Sequence, residues 1–355
     1  MSYLMVAAGL ILLLLGGDVL VRGAVTLAQR LSVPPLVIGL TVVAFGTSSP
    51  ELVVSVEAVL GGVPEIAIGN VVGSNIANVL LVLGLPAMVF PIACGVDSVR
   101  RDGSIMLAVS IGFVALCYTG VLTAWQGLLM VAMLCAYLIW SYILARNEGD
   151  ATADSIVDEI EGIATRPHTL KISLCFIVGG LVGLVLGSSL LVHGAVQIAR
   201  AAGIAEATIG LTLVALGTSM PELATSLVAA IRRHGDVAVG NVIGSNLFNI
   251  LGIMGIAALI KPIPVPDQFL QFDLWVMLAS AALLVPFIYR GSAIGRTFGA
   301  VLALSYAVYT WSLFSGHSAV ASQATSASLQ LPADPARSAL PSPWQQLANT
   351  SLTLK

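Results

Sequence analysis

Gly46-Thr47-Ser48-Ser49-Pro50-Glu51-Leu52 returns 171 residues later as Gly217-Thr218-Ser219-Met220-Pro221-Glu222-Leu223. At the same offset Gly69-Asn70-Val71-Val72-Gly73-Ser74-Asn75-Ile76-Ala77-Asn78 returns as Gly240-Asn241-Val242-Ile243-Gly244-Ser245-Asn246-Leu247-Phe248-Asn249, with no insertion between the two blocks. The register extends upstream, where Ile38-Gly39-Leu40-Thr41 faces Ile209-Gly210-Leu211-Thr212, and Leu20-Val21-Arg22-Gly23-Ala24-Val25 faces Leu191-Val192-His193-Gly194-Ala195-Val196. Self-similarity held at one offset marks a duplicated unit. The chain therefore reads as two halves.

Both copies lie in apolar surroundings. Of 355 residues 57% are hydrophobic and only 9% charged, which excludes a water-soluble domain. Runs of about 17 to 25 apolar residues span a bilayer as helices. They begin near Leu4, Leu36, Ile66, Ile105, Ala124, Ile172, Ala207, Val237, Phe269 and Thr297. Stretches such as 10–15 and 181–186 lack the alternation of barrel strands. The expected fold is an all-α membrane protein of ten transmembrane helices.

Five spans per half is an odd number, so the second half enters the membrane from the opposite face. The predicted organisation is two inverted five-helix repeats, residues 1–146 and 171–314, joined by an acidic cytoplasmic linker at 147–170. Inverted repeats with interrupted helices at their interface are the architecture of secondary transporters. Residues 315–355, rich in Ala, Ser and Pro, have the composition of a disordered extracytoplasmic tail.

The first run has no positive side chain before it, so it reads as a retained helix rather than a signal peptide. Placing both termini outside puts Arg30, Arg100, Arg101, Arg146, Arg166, Lys171, Arg232, Arg233, Arg290 and Arg296 on the inner side. The expected location is the plasma membrane, in a bacterium the inner membrane. A net charge of −3 leaves no basic face for nucleic acid. Cys94, Cys117, Cys135 and Cys175 stand far apart and suggest neither disulfides nor a thiolate metal site.

Glu51 and Glu222 fall in mid-span, where a charge costs about 2.5 to 3.5 kcal/mol on insertion scales. No lysine or arginine is available at that depth, so the expected partner is a mobile cation. Pro50 and Pro221 each remove a backbone donor and crowd the preceding turn, which releases the carbonyls of Gly46 and Gly217 and loosens those of Thr47 and Thr218. Free carbonyls at membrane depth face a cavity or a ligand. The hydroxyls of Thr47, Ser48, Thr218 and Ser219 add neutral oxygens. The next span of each half offers Ser74, Asn75 and Asn78, and their copies Ser245, Asn246 and Asn249. Gly73, Ser74, Gly244 and Ser245 also suit close helix packing.

Hard oxygen donors suit Ca²⁺ and Na⁺, whereas zinc or copper prefers imidazole or thiolate. Two carboxylates balance one Ca²⁺, and several Na⁺ ions compete for the same oxygens. An inward Na⁺ gradient then drives Ca²⁺ outward, and more than two Na⁺ per cycle makes exchange electrogenic. A Ca²⁺/H⁺ antiporter, in which the two glutamates take protons, is the alternative. A cation channel is a more distant one. An intramembrane hydrolase built on Ser48 or Ser219 would lack a neighbouring histidine or lysine base. Asp18 reads as the ion-pair partner of Arg22 four residues on; it and Glu57 stay outside the site.

The duplicated G-T-S-x-P-E and G-N-V-x-G-S-N blocks resemble the paired α-repeats of the calcium/cation antiporter superfamily, particularly the prokaryotic sodium/calcium exchangers, over nearly all of 1–314. The resemblance implies a ten-helix fold with four ion positions lined by broken helices 2, 3, 7 and 8. Its ligands, carried onto this chain, are Ala44, Thr47, Ser48, Glu51, Ser74 and Asn78 from the first half. Ala215, Thr218, Ser219, Glu222, Ser245 and Asn249 come from the second, with the alanines contributing carbonyls. It implies an antiporter rather than an enzyme, with no cofactor and no protein partner, moving Ca²⁺ and Na⁺ across a lipid bilayer. Some relatives, including potassium-dependent exchangers, carry aspartate where this chain has Asn249, so the neutral Asn78 and Asn249 argue against K⁺ coupling. The segment 147–169 is too short to fold as the regulatory calcium-binding domain of animal exchangers.

Overall fold

The computed structural model describes residues 2–31, 35–94, 97–160, 170–201 and 215–330. These residues are overwhelmingly helical. The exceptions include an antiparallel pairing of Val121–Leu122 with Ile263–Pro264 and a bridge between Ile92 and Ile294, both joining the ends of helices.

The core is largely apolar, yet it also encloses polar groups while large apolar side chains face outward. Glu51, Glu222, Asn75, Asn78, Asn246 and Asn249 are buried, while Ile11, Leu128, Ile139 and Val178 are exposed. Apolar residues facing outward around an interior that holds polar groups are stable where hydrocarbon is the solvent. Among the described residues, six helices are long and apolar enough to cross a membrane, and seven if the bent pair Gly39–Thr47 and Ser49–Leu60 is one span. The remaining expected spans fare differently. Ile105 lies within Asp97–Cys117, whose first turns carry Arg100, Arg101 and Asp102, and Thr297 lies within Arg296–Gln330. The start near Ala207 falls outside the described residues, and Met220–Ile231 follows it.

Two units are distinguished, residues 1–307 and 308–355. Within the first, Ser2–Leu31 packs along Leu170–Ala201 through glycines. A Cβ at Gly9 would stand 2.7 Å from the Leu191 nitrogen, and one at Gly180 would stand 2.6 Å from the Leu20 nitrogen. Gly16 approaches Leu184 N at 2.9 Å, and Gly187 approaches Leu13 N at 2.8 Å, measured the same way. Gly9 and Gly180, Gly16 and Gly187, Leu20 and Leu191, and Leu13 and Leu184 are each separated by the repeat offset. Each contact thus occurs twice with its partners exchanged. Without a hydrophobic force between helices in lipid, such backbone-to-backbone approach is what holds them together.

Of the second unit, residues 308–330 are described, and they are helical. Helix Arg296–Gln330 thus extends past residue 314, where composition suggested an unstructured tail. Alanines at 319, 321, 324 and 327 are strong helix formers. Helix Ala124–Ile160 likewise continues into the expected linker. Residues 161–169 and 331–355, the rest of the linker and tail, lie outside the described residues.

Candidate cation site

The site is built on two matching breaks. Helix Ala44–Thr47 stops at Ser48, which has φ −83° and ψ 6°, and Ser49–Leu60 resumes with Pro50 in its first turn. In the second half Ala215–Thr218 stops at Ser219, with φ −85° and ψ 4°, and Met220–Ile231 resumes with Pro221 in its first turn. A proline ring denies its own N–H and crowds the turn before it, so the axis bends; in the first half the bend is 49°. Each resumed helix therefore begins in the protein interior. Glu51 and Glu222 sit in those first turns, each 1% exposed. The partial positive charge of a helix N-terminus favours an acid there.

A second irregularity brings in the amides. Pro64–Ala77 passes into a π-helical turn at Asn78–Val82, and Gly235–Leu247 passes into one at Phe248–Ile253. Such widened turns expose backbone and side-chain groups and recur at functional sites. Gly244 allows the approach of these elements, since a Cβ there would stand 2.5 Å from the Leu40 carbonyl oxygen.

The hydroxyls of each motif face the acid of the other. Ser48 Oγ donates to Glu222 Oε1 at 2.9 Å, with Thr47 beside the same carboxylate. Thr218 and Ser219 stand beside Glu51, and the two carboxylates are close enough to repel each other. Asn78 Nδ2 donates to Asn246 Oδ1 at 3.1 Å, and Asn249 Nδ2 to Asn75 Oδ1 at 3.3 Å. Ser74 is buried on the same helix as Asn75. The Ala44 carbonyl accepts the Ser48 N–H at 3.0 Å and the Thr47 hydroxyl at 3.4 Å. Ala215 opens its short helix.

What remains unbonded bears on the chemistry. Among the described residues, the buried oxygens without a hydrogen bond of good geometry include Glu51 Oε2, Glu222 Oε2, Asn78 Oδ1, Asn249 Oδ1, Ser219 Oγ and Ser245 Oγ, along with the hydroxyls of Tyr137, Ser141 and Thr225. Neither glutamate is ion-paired with a basic side chain among those residues; the described carboxylates with such pairs include Asp18 and Asp102. Leaving one such group unsatisfied costs about 1–3 kcal/mol, more if charged. Two carboxylates with carbonyl and hydroxyl oxygens, all short of donors, make a hard-donor set for an oxygen-seeking cation. A cavity of about 650 Å³ beside the first break, lined by Phe45, Leu134, Leu181, Val185 and Phe248 among others, is predominantly apolar and supplies no such set.

Several supporting residues were not read from the sequence. Asn70 Nδ2 donates to the Glu51 carbonyl at 3.1 Å and to Ser55 Oγ at 2.9 Å. Asn241 does the same to Glu222 at 3.3 Å and Ser226 at 3.1 Å, and its Oδ1 accepts from Thr47 at 3.3 Å. Both asparagines recur at the repeat offset, the signal that marks them. The Gly217 carbonyl, expected to face a cavity or ligand, instead accepts the Ser188 hydroxyl. Asp102 and Asp273, buried at 0% and 3% exposure, form a second recurring acidic pair that reading mid-span positions alone passed over. Arg101 chelates Asp102 at 3.0 and 3.1 Å. Arg22 pairs with Asp18 at 2.9 Å as expected, and Arg232 joins the same carboxylate.

The sodium/calcium exchanger protein family matches residues 1–143 and 172–315. The sodium/calcium exchanger MaX1 of Methanosarcina acetivorans is 34% identical over 351 residues, covering 88% of this chain and 98% of that protein. Inner membrane protein YrbG of Escherichia coli is 35% identical over 307 residues, covering 86% and 94%. A solved structure of the sodium-calcium exchanger NCX_Mj superposes with a TM-score of 0.76 at 34% identity, covering 88% of this chain and 98% of that one. With the family match over both halves and several helices long and apolar enough to cross a membrane, the chain belongs to the sodium/calcium exchanger protein family, whose members are multi-pass membrane transporters and not enzymes.

Proposed function

We propose that this protein exchanges Na⁺ for Ca²⁺ by alternating access, through a site formed by Glu51, Glu222, Thr47, Ser48, Thr218, Ser219, Ser74, Asn78, Ser245, Asn249 and the carbonyls of Ala44 and Ala215. The observation that carries this reading is the set of buried, unpartnered oxygens converging from both halves around two acids without basic partners. Two carboxylates neutralise one Ca²⁺, and several Na⁺ ions use the same oxygens in its place. Competition alone couples the two fluxes when either load must occupy the site before the bundle rocks. More than two Na⁺ per Ca²⁺ makes the cycle electrogenic. The neutral amides at Asn78 and Asn249 favour K⁺ independence. The names of MaX1 and NCX_Mj, both sodium/calcium exchangers, support the same pair of ions.

The architecture that goes with this function is ten spans in two inverted repeats, residues 1–146 and 171–314, with both termini outside the plasma membrane. Contacts that recur at the repeat offset with partners exchanged, at the glycine crossing and among the asparagines, support that symmetry.

Reconstituted into proteoliposomes, the protein should take up ⁴⁵Ca²⁺ when loaded with Na⁺, and Li⁺ or K⁺ loading should not substitute. Uptake driven by a pH gradient in Na⁺-free medium would transfer the reading to Ca²⁺/H⁺ antiport. Flux without a counter-ion would make the protein a channel.

A further inference from the structure

We propose that Met106 and Met277 are positioning residues that set the polarity of the site's amides; this rests on Asn78 and Asn249 serving as ligands. Each thioether is buried, at 0% and 2% exposure, and recurs at the repeat offset. Asn75 Nδ2 donates to Met277 Sδ at 3.8 Å, and Asn246 Nδ2 donates to Met106 Sδ at 3.6 Å. A thioether sulfur only accepts. It therefore fixes which end of each carboxamide faces it, and the Oδ1 of Asn75 and Asn246 must point the other way.

The polarity passes along one more link. Asn75 Oδ1 receives Asn249 Nδ2, and Asn246 Oδ1 receives Asn78 Nδ2. With their N–H groups engaged, Asn249 and Asn78 are left with Oδ1 buried and unpartnered. Each relay thus runs from a methionine outside the site, across the halves, to one carbonyl oxygen available for a cation. Flipping Asn75 or Asn246 would set an oxygen against sulfur lone pairs and an NH₂ against an NH₂, which leaves both contacts broken. A flipped Asn78 or Asn249 would present a donor to the ion. Acceptor-only sulfurs therefore exclude the amide orientation that repels cations.

Met106→Leu and Met277→Leu remove the acceptor at nearly constant volume, a change that cores tolerate well. Each should raise the half-saturating Ca²⁺ concentration for Na⁺-driven uptake by about threefold to tenfold, with maximal velocity and the Ca²⁺-free melting temperature little changed. Their double variant should be weaker than either, because the relays serve different asparagines. Met130→Leu, at another buried methionine, should leave half-saturation unchanged. Protein grown with norleucine, which replaces sulfur by methylene in an unbranched side chain, should reproduce the double variant if either leucine impairs folding. Selenomethionine, which keeps an acceptor, should not. Wild-type protein showing neither Na⁺-driven Ca²⁺ uptake nor a Ca²⁺-induced rise in melting temperature would overturn the site and the relay together. Active wild type with unchanged half-saturation in M106L, M277L and the norleucine protein would overturn the relay alone.

Discussion

Ser48 and Ser219 have nearly the same backbone, φ −83° and ψ 6° against φ −85° and ψ 4°, yet their hydroxyls are engaged differently. Ser48 Oγ donates to Glu222 at 2.9 Å, whereas Ser219 Oγ stands beside Glu51 without a hydrogen bond of that geometry. A local proline sets the break in both halves, and the residues opposite decide how each hydroxyl is used. Ser188 shows the same division. It caps the Gly217 carbonyl, but the equivalent position in the first half is Gly17, which has no hydroxyl to offer and approaches the Ala224 carbonyl oxygen, 3.2 Å from where its Cβ would be. Sequence repetition thus duplicates the backbone more faithfully than it duplicates the hydrogen bonds.

The test with the largest expected effect asks where that asymmetry ends. Glu51→Gln and Glu222→Gln should both abolish Na⁺-driven ⁴⁵Ca²⁺ uptake while the protein still reaches the membrane, because one carboxylate cannot balance a divalent ion. Losing one partner of a buried charge pair costs about 2–5 kcal/mol, which is about thirtyfold or more in affinity. Near-normal flux in one variant would mean that a single half holds Ca²⁺.

The serines sharpen the comparison. A hydrogen bond to a charged group is worth about 1.5–3 kcal/mol, so Ser48→Ala should lower the Ca²⁺-free melting temperature by about 2 to 4 °C. Ser219→Ala removes a hydroxyl that stands beside Glu51 without so close a bond, and should lower that temperature by less. Both should weaken Ca²⁺ binding, read as the concentration that half-maximally raises the melting temperature. Equal losses of Ca²⁺-free stability would show that the two hydroxyls are engaged alike.

The parts of this architecture visible in the sequence are those fixed within a few residues. Pro50 and Pro221 announce the breaks, most of the apolar runs announce long apolar helices, and the repeated glutamates announce a buried acidic pair. The Asp18–Arg22 pair follows from i,i+4 spacing alone. What was hidden depends on long-range contact. Arg232 reaches Asp18 from 214 residues away, and nothing beside either residue points to it. Asn70 and Asn241 were visible as repeated letters, but their bonds to the Glu51 and Glu222 carbonyls require two helices to be docked. Asp102 and Asp273 recur as well, yet Asp102 precedes the apolar run that begins at Ile105, so hydropathy left it outside the membrane reading. Methionine escapes any search for ligands, because its part here is to accept one weak bond outside the ion's reach.

The smallest effect is expected where the halves differ in charge. Asp18 holds Arg22 and Arg232, linking the first helix to the end of Met220–Ile231. Its counterpart Ser189 has a local partner, with His193 Nδ1 lying 3.5 Å from its hydroxyl and 2.8 Å from its carbonyl oxygen. The Asp18 and Arg232 side chains are 27% and 28% exposed, so water and salt screen the pair. Asp18→Asn should lower the melting temperature by about 0.3 to 1.3 °C, the range for ion pairs of about 0.2–1 kcal/mol, and Ser189→Ala should not change it measurably. Choline chloride is the salt to add, since Na⁺ is itself a proposed ligand, and it should shrink the Asp18→Asn deficit. A deficit of about 10 °C that persists in concentrated salt would exceed what a screened pair supplies, and would make Asp18 a buried coupling between the two halves with no equivalent on the other side.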